Sequence, residues 1–189
     1  MNARETTSLA GHLLIAMPTL ADPNFSRTVT FLCEHDEQGA LGVTINRPLE
    51  ITLGEVLAQL QLPTDDAVVA GAPVFHGGPC HTERGFVIHD ATHEYAATLR
   101  VTDELAVTTS QDVLKSIASG IAPPRILVAL GCAGWAPGQL EQELAENTWL
   151  SVPGAARIVF ETPFDQRWDA AAGLLGVDIR LLTGDAGHA

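Results

Sequence analysis

Hydrophobic and polar residues alternate along several short stretches of this chain, which is the pattern of half-buried β-strands. Within residues 27–35, the alternate positions that fall on one face are Val29, Phe31, Cys33 and His35. Turn-forming residues at 37–39 make residues 40–46 the returning strand of a hairpin. Strands are predicted at residues 12–17, 27–35, 40–46, 74–76, 85–90, 97–101, 105–108, 125–130 and 157–160.

Four other stretches place apolar residues three and four positions apart, which is the pattern of amphipathic helices. Thr52 and Glu55 form a capping box at the start of the first helix, and Ser110 suits the N-cap of the second. The third helix covers residues 138–147, and Thr162-Pro163 opens the fourth. The side chains expected to face inward are Leu53, Val56, Leu57 and Leu60, then Val113, Leu114 and Ile117, then Leu140 and Leu144, and finally Trp168, Ala171, Ala172 and Leu175, with Glu141, Glu143 and Glu146 facing outward.

The order of these elements determines the fold class. Strands come in antiparallel clusters with helices between them, rather than in strict alternation of strand and helix. The sequence therefore predicts an α+β fold, in which helices flank a mixed, largely antiparallel sheet that has room to curl or to become barrel-like. We expect a single domain over residues 1–189, with a polar tail from about residue 183.

The composition fits one compact domain and restricts its partners. Hydrophobic residues make up 46% of the 189 residues, and charged residues make up 17%. Lysine and arginine number 10 against 23 aspartate and glutamate residues, so the net charge is −13. A chain this acidic repels phosphate and its basic residues are scattered, so direct binding to nucleic acid or to an anionic membrane is not expected.

Cysteine usage and hydropathy favour the cytoplasm. Cys33, Cys80 and Cys132 are too few, and odd in number, for a disulfide framework. Residues 1–5 are polar, the apolar run at 13–17 is too short for a signal peptide, and no apolar stretch reaches the ~18 residues of a membrane-spanning helix. We therefore expect a cytoplasmic protein with free thiols.

Three segments are too particular in sequence to be generic strands or loops. The first is MPTLADPNFSRTVTFLCEH at 17–35 with GALGVTINRP at 39–48. The second is HGGP at 76–79 with RGFVIH at 84–89, and the third is GCAGW at 131–135, followed by Gln139, Leu140, Glu141, Glu143, Asn147 and Trp149. Together they resemble the YqgE/AlgH family of small bacterial proteins, over nearly the whole chain from about Leu9 to residues 176–178.

The resemblance implies a compact mixed α/β domain in the bacterial cytoplasm and very little chemistry. Cys132 stands where the family more often has an aromatic residue, and Cys80 where it has an aliphatic one, so neither cysteine is expected to carry a shared function. One branch of the family is named for an effect on alginate production and is often labelled a transcriptional regulator. The net charge favours an indirect role, through a protein or small-molecule partner, over direct contact with DNA.

Cys33 and His35 form the first candidate site. On one strand face they would lie ~6.5–7 Å apart along the chain, where an imidazolium can lower the pKa of a thiol and make it reactive. The same pair can begin a metal site, and the alternative is a buried cysteine that behaves as a small hydrophobic residue. The other histidines match no familiar ligand spacing, so we predict no metal and no cofactor.

A second candidate site is a ligand pocket assembled from loops. Gly77 and Gly78 can bring backbone N–H groups to an anion that Arg84 neutralises, although Gly-Gly-Pro is also a sharp-turn sequence and is not a P-loop. Trp135 is either a core anchor or the floor of a pocket, and the polar residues also suit turn and strand-end hydrogen bonding. The residues assigned to ligand binding are Asp22, Phe25, Arg27, Asn46, Gly77, Gly78 and Trp135, with His35 beside them.

The usual catalytic signatures are missing from the sequence, because there is no nucleophile elbow and no dinucleotide fingerprint after a strand. We therefore predict a regulatory or binding module for a small molecule or protein partner, with an indirect role in gene regulation, rather than an enzyme. One alternative is a thiol-based redox sensor or enzyme that uses Cys33 with His35. The other is a regulator that contacts DNA itself, which the net charge disfavours.

Overall fold

The structure, a computed structural model, describes residues 7–182, and the predicted tail from residue 183 lies outside them. The strands are β1 (His12–Ala16), β2 (Val29–Asp36), β3 (Gly39–Thr44), β4 (Pro48–Thr52), β5 (Pro73–His76), β6 (Cys80–Asp90), β7 (Thr98–Arg100), β8 (Leu105–Thr108), β9 (Ile126–Trp135) and β10 (Trp149–Pro153). The helices are α1 (Leu53–Gln59), α2 (Ala67–Ala70), α3 (Gln111–Ala118), α4 (Gln139–Ala145), α5 (Ala156–Phe160) and α6 (Arg167–Gly173), with short 3₁₀ helices at Phe164–Gln166 and Ile179–Leu181.

All ten strands join one sheet that is organised around β9. The neighbours run β10-β1-β2-β3-β9-β6-β8-β7, and β4 joins through β5, which pairs with β9 in parallel. The first half of β9 lies between β5 and β6, and its second half pairs with β3. The sheet curls into a half-barrel within a single domain, which confirms the predicted α+β class with a mixed, largely antiparallel sheet.

The two faces of the curled sheet carry separate parts of the core. The largest cluster, which includes Phe31 and Trp168, draws on most of the strands and is covered by α5 and α6. A second cluster packs α1 and α3 against β6 and β9, and a third packs α4 against β1 and β2. No helix among residues 7–182 is long and apolar enough to cross a membrane.

Local sequence signals predicted the start of α1 correctly. The Thr52 hydroxyl accepts the Glu55 N–H at 3.3 Å, and the Glu55 carboxylate accepts the Thr52 N–H at 2.7 Å. This reciprocal pair satisfies two backbone donors that a helix start leaves open. The predicted capping box is therefore confirmed, and it fixes the helix that forms one wall of the groove described below.

Other local predictions were wrong at positions where tertiary packing determines the secondary structure or the burial of a side chain. Residues 157–160 are helical in α5 rather than extended, because burial at Ala156 and Val159 follows a helical spacing against the core. The unpredicted strand β10 is an edge strand on β1, where Pro153 is tolerated because it stands at the strand end. Leu60 and Leu175 lie beyond the ends of α1 and α6 and are exposed rather than buried.

Candidate functional site

Cys33 and His35 lie on opposite faces of β2, because a β-bulge interrupts the strand between Leu32 and Glu34. The extra residue shifts the alternation by one position, so Cys33 packs in the largest core cluster whereas His35 faces α4. The prediction that Cys33 and His35 share one face of the strand is therefore wrong. Burial raises the pKa of the Cys33 thiol, and the Glu34 carboxylate adds to the rise, so the thiol is held in its neutral form.

His35 connects the start of the described chain to α4. Its Nδ1 accepts the Leu9 N–H at 2.9 Å, so in the neutral ring Nε2 carries the proton and donates it to Glu141 Oε1 at 2.6 Å. The outward orientation predicted for Glu141 is therefore wrong. Burial opposes ionisation of Glu141, but hydrogen bonds from the backbone and from His35 outweigh it and lower the pKa of this carboxyl group.

Asp22 and Asn46 make hydrogen bonds that hold the loop between β1 and β2 in place. Asp22 Oδ1 accepts the Asn24 N–H at 2.8 Å, which closes a local turn. Asn46 Oδ1 accepts the Val29 N–H at 2.9 Å, and its Nδ2 donates to the Arg27 carbonyl oxygen at 2.9 Å. These bonds are the turn and strand-end bonding that the sequence offered as the alternative to a ligand pocket.

Phe25 and Trp135 belong to an aromatic cluster beneath α4. The centroid of the Phe25 ring lies 6.4 Å from that of Trp135 and 5.7 Å from that of Trp149. Glu143 Oε2 accepts the indole N–H groups of Trp135 at 2.8 Å and Trp149 at 2.9 Å. Glu143 is therefore turned inward, contrary to prediction, because its carboxylate satisfies two indole donors at once, and Trp135 is a core anchor.

Gly77 and Gly78 are required by the close approach of two backbone segments. A Cβ atom added at Gly77 would lie 2.2 Å from the Gly131 carbonyl oxygen, and one added at Gly78 would lie 2.2 Å from the Cys132 carbonyl carbon. The Gly77 N–H donates to the Leu130 carbonyl oxygen at 2.8 Å. Since that donor is already used within the sheet, it is not available to an anion.

The residues predicted to bind a ligand do not meet in one pocket. Phe25 and Trp135 lie beneath α4, whereas the Arg27 guanidinium carbon lies 4.6 Å from the ring centroid of Trp168, in the cluster on the other face. Among residues 7–182, no group of three histidine, cysteine, aspartate or glutamate side chains is placed to hold a metal ion.

A groove of about 740 Å³ lies between α1, α3 and the strands β6 and β9. Val87 and Val128 form part of its floor, Val56 contributes from α1, and Val113 and Leu114 contribute from α3. Small-molecule sites are typically concave, mostly apolar and about 300–1,000 Å³ in volume. By size and lining, the groove is therefore the best candidate for a ligand site in the described structure.

Polar side chains also line the groove. His81, Glu83 and Arg84 of β6 are among them, and Arg84 Nη2 lies 3.4 Å from the Thr109 hydroxyl. Arg84 is exposed and pairs with no carboxylate among residues 7–182. His81 and Arg84 also line an adjoining cavity of about 270 Å³, which reaches Cys33. Sequence reasoning named Arg84 as a cation for an anionic ligand, but it took the apolar lining for ordinary core.

Comparison with known proteins identifies the family. The model of the AlgH-like family, DUF179, matches residues 13–180. The chain belongs to this AlgH-like family. A UPF0301 protein of Nitrosococcus oceani is 55% identical over 178 residues, which cover 94% of this chain and 95% of that protein. A UPF0301 protein of Xanthomonas oryzae is 53% identical over 183 residues, which cover 97% of each chain.

Solved structures agree with this assignment. The solution structure of the AlgH protein from Pseudomonas aeruginosa is 49% identical to this chain, with a TM-score of 0.79 and coverage of 100% of both chains. A protein from Corynebacterium diphtheriae has a TM-score of 0.72 over 91% of this chain and 90% of its own, at 20% identity, and it shows the fold alone. The resemblance seen in the three sequence segments is thus confirmed.

The three segments of this AlgH-like chain meet at β9. Residues 131–135 of the third segment form the second half of β9, which pairs with β3 of the first segment, and the first half of the same strand pairs with β6 of the second segment. The segments therefore pack side by side, as their density along the chain suggested. Most of the groove lining, including all that comes from α1 and α3, lies outside them.

Proposed function

We propose that this protein is a binding module that takes a small amphipathic molecule into the groove between α1 and α3. The observation that carries the proposal is an apolar floor with polar groups at its edge: Val87 and Val128 are buried at the base, and Arg84 is exposed. An apolar ligand body gains about 25 cal/mol for each Å² that it buries there. Polar groups at the edge then orient the ligand.

The charged residues at the groove and the net charge of the chain limit which ligands are expected to bind. Arg84 has no ion-pair partner in the described chain, so it is available to a hydrogen-bond acceptor or a single negative charge. Glu83 beside it and the net charge of −13 disfavour a multiply charged anion. We therefore propose an elongated apolar molecule with one acceptor or monoanionic group.

Such a module would act on gene expression indirectly. Ligand binding over α1 and α3 would change the surface that these helices offer to a protein partner. The chain itself would not contact DNA, since its acidic surface repels the phosphate backbone. This role agrees with the regulatory label that the family resemblance suggests.

The proposal is tested by NMR titration of the full chain with a library of amphipathic monocarboxylates and neutral amides. Saturable shifts are expected at the backbone amides of Val87, Thr109 and Val113, which line the groove. Shifts that map elsewhere, or a library in which no compound saturates, would contradict the groove as the binding site.

Gly85→Leu and Gly134→Leu form a matched pair for this test. Both glycines lie in strands and an added Cβ atom meets nothing within 4 Å at either position, but only Gly85 lines the groove. Gly85→Leu is expected to fill the groove and weaken binding by about tenfold or more, while Gly134→Leu leaves it unchanged. Equal binding by the two variants would contradict the proposal.

A further inference from the structure

Arg167, in the first turn of α6, is a buried cation that is bonded to uncharged groups. Only 6% of the residue is exposed. Its Nε donates to the Thr162 carbonyl oxygen at 3.0 Å, and its Nη1 donates to the Ile45 carbonyl oxygen. The guanidinium carbon lies 5.1 Å from the ring centroid of Phe75. These contacts hold the guanidinium rigidly in place.

No carboxylate within residues 7–182 forms an ion pair with Arg167. A buried charge without a counter-ion is unfavourable, because the protein interior solvates it poorly. Burial accordingly lowers the pKa of Arg167 to about 10, and no ion pair with a carboxylate among the described residues offsets that shift. Such a group is the kind of cation that a bound anion stabilises.

Arg167 is one of the residues that line a cavity of about 280 Å³. Phe75, Phe160 and Phe164 line this cavity together with Ala72, and Glu161 is also in its lining. Apart from Val128, it has no lining residue in common with the groove between α1 and α3. The cavity therefore combines an aromatic wall with one unpaired, preoriented cation.

We propose that this cavity binds a small organic carboxylate, whose carboxylate pairs with Arg167 and whose apolar body packs against the phenylalanine rings. The contacts of Arg167 leave both hydrogens of Nη2 and one of Nη1 without a protein acceptor among the described residues. That edge of the guanidinium matches the two oxygens of a carboxylate. The site lies apart from the groove and does not depend on the function proposed for it.

A single negative charge fits the cavity better than two. One guanidinium neutralises one charge, and a second would be left in an apolar cavity beside Glu161. Inorganic sulfate, which is dianionic at neutral pH, is therefore expected to bind more weakly than a monocarboxylate. A neutral molecule of the same shape lacks the charge that Arg167 requires.

The test is an NMR titration of the full chain with benzoate, with benzamide as the neutral molecule of matched size and sulfate as the dianion. Benzoate is expected to saturate and to shift the Arg167 side-chain N–H resonances and the amides of Phe75 and Phe160. Benzamide and sulfate are expected to bind at least about tenfold more weakly. Equal binding by benzoate and benzamide, or no saturation by benzoate, would overturn the proposal and leave Arg167 as a brace for the two carbonyl groups.

Two variants test the guanidinium of Arg167 and the open volume of the cavity independently. Arg167→Lys keeps the charge but loses the planar fork, and is expected to weaken benzoate binding about tenfold or more. Ala72→Leu fills the cavity while Arg167 is kept, so the prediction remains testable if Arg167→Lys does not fold. If Ala72→Leu folds and binds benzoate as the unmodified chain does, the cavity is not the site.

A variant at Glu161 is expected to strengthen benzoate binding, whereas the other variants weaken it. The Glu161 side chain is 62% exposed and lies 3.8 Å from Arg125, so Glu161→Gln removes a like charge near the ligand without opening the core. Benzoate binding is expected to strengthen about twofold. Glu146→Gln makes the same change in net charge just after the end of α4, outside the cavity lining, and should leave binding unchanged. Equal effects of the two variants would contradict a local charge effect.

Discussion

His89 shows how a buried polar side chain is satisfied in this protein. It is fully buried, and its Nδ1 lies 2.8 Å from the Asp90 carbonyl oxygen and so carries the proton of the neutral ring. Nε2 then accepts the hydroxyl proton of Thr108, whose oxygen lies 2.7 Å away. Burial is the main cause that lowers the pKa of His89, because the interior disfavours the charged ring.

Acidification is therefore expected to destabilise the fold. The folded-state pKa of His89 lies below the unfolded value near 6.5, so the unfolded chain binds more protons as the pH falls through that value. The free energy of unfolding should decrease from about pH 7 to about pH 5, by at most ~1.4 kcal/mol per pH unit for one histidine. His12, whose pKa burial also lowers, acts in the same direction. Urea unfolding across this range measures the slope.

Two variants identify the source of that slope. His89→Gln keeps a polar side chain that can bond Thr108 but cannot take up a proton, so the decrease towards low pH should become shallower. His81 is exposed, and its backbone φ is 48°, which asparagine tolerates. His81→Asn should therefore keep the original pH dependence of the unfolding free energy. An unchanged slope in His89→Gln would assign the pH dependence to other groups.

The three cysteines are expected to differ sharply in alkylation by iodoacetamide. Cys80 is exposed, whereas Cys33 and Cys132 are buried and burial raises the pKa of both thiols. Under native conditions, mass spectrometry should therefore locate the label on Cys80, and labelling of the other two should require denaturant. Cys80→Ser should leave the native chain unlabelled. Rapid native labelling of Cys33 would instead revive the thiol hypothesis.

Among the elements, those with a complete local signal could be predicted from the sequence. The turn at 37–39 and the flanking alternation specify the β2–β3 hairpin, and the capping box specifies α1. The bulge at Cys33 has no such signal, because the side chains from Val29 to Cys33 are all buried on one face or the other. One inserted residue reverses every later side chain, which is why the proposed Cys33–His35 pair failed.

The candidate site was harder to predict because it depends on how distant elements pack. The groove is lined from α1, β6, α3 and β9, and these elements meet only through the β5-β9-β6 order of the sheet. On the sequence, Val87 and Val128 look like any other core positions of buried strands. Arg167 likewise has no motif around it, and only its burial without a counter-ion marks it out.

The contact between β5 and β9 gives a prediction at the scale of elements. Gly77→Ala would place its Cβ atom 2.2 Å from the Gly131 carbonyl oxygen, which the backbone cannot relieve without moving a central strand. We expect a loss of more than about 4 kcal/mol in unfolding free energy, or failure to fold. Gly85→Ala meets nothing within 4 Å and should change stability by less than about 0.5 kcal/mol. Urea unfolding and soluble yield measure both, and similar losses would contradict the role of Gly77.

The whole molecule has a net charge of −13, and three of the nine lysine and arginine residues among residues 7–182 form an ion pair with a carboxylate. Arg125 pairs with Asp90 at 2.6 Å, and Arg180 pairs with Asp178 at 3.0 Å. Arg167 is buried and so cannot contribute to a surface charge patch. The folded surface is therefore less suited to phosphate than the number of basic residues alone suggests.

Direct DNA binding is consequently expected to be absent. Binding to a duplex requires several cations that displace condensed counter-ions, and proteins that do this bind non-specifically with Kd values of about 10⁻⁴–10⁻⁶ M at physiological salt. The full chain should cause no mobility shift of duplex DNA at about 0.15 M salt, and lowering the salt should not create one, because reduced screening also strengthens repulsion by the acidic surface. A basic DNA-binding protein under the same conditions is the positive control. A complex whose affinity falls steeply with salt would show that a cationic surface forms, and the indirect regulatory role would then have to be abandoned.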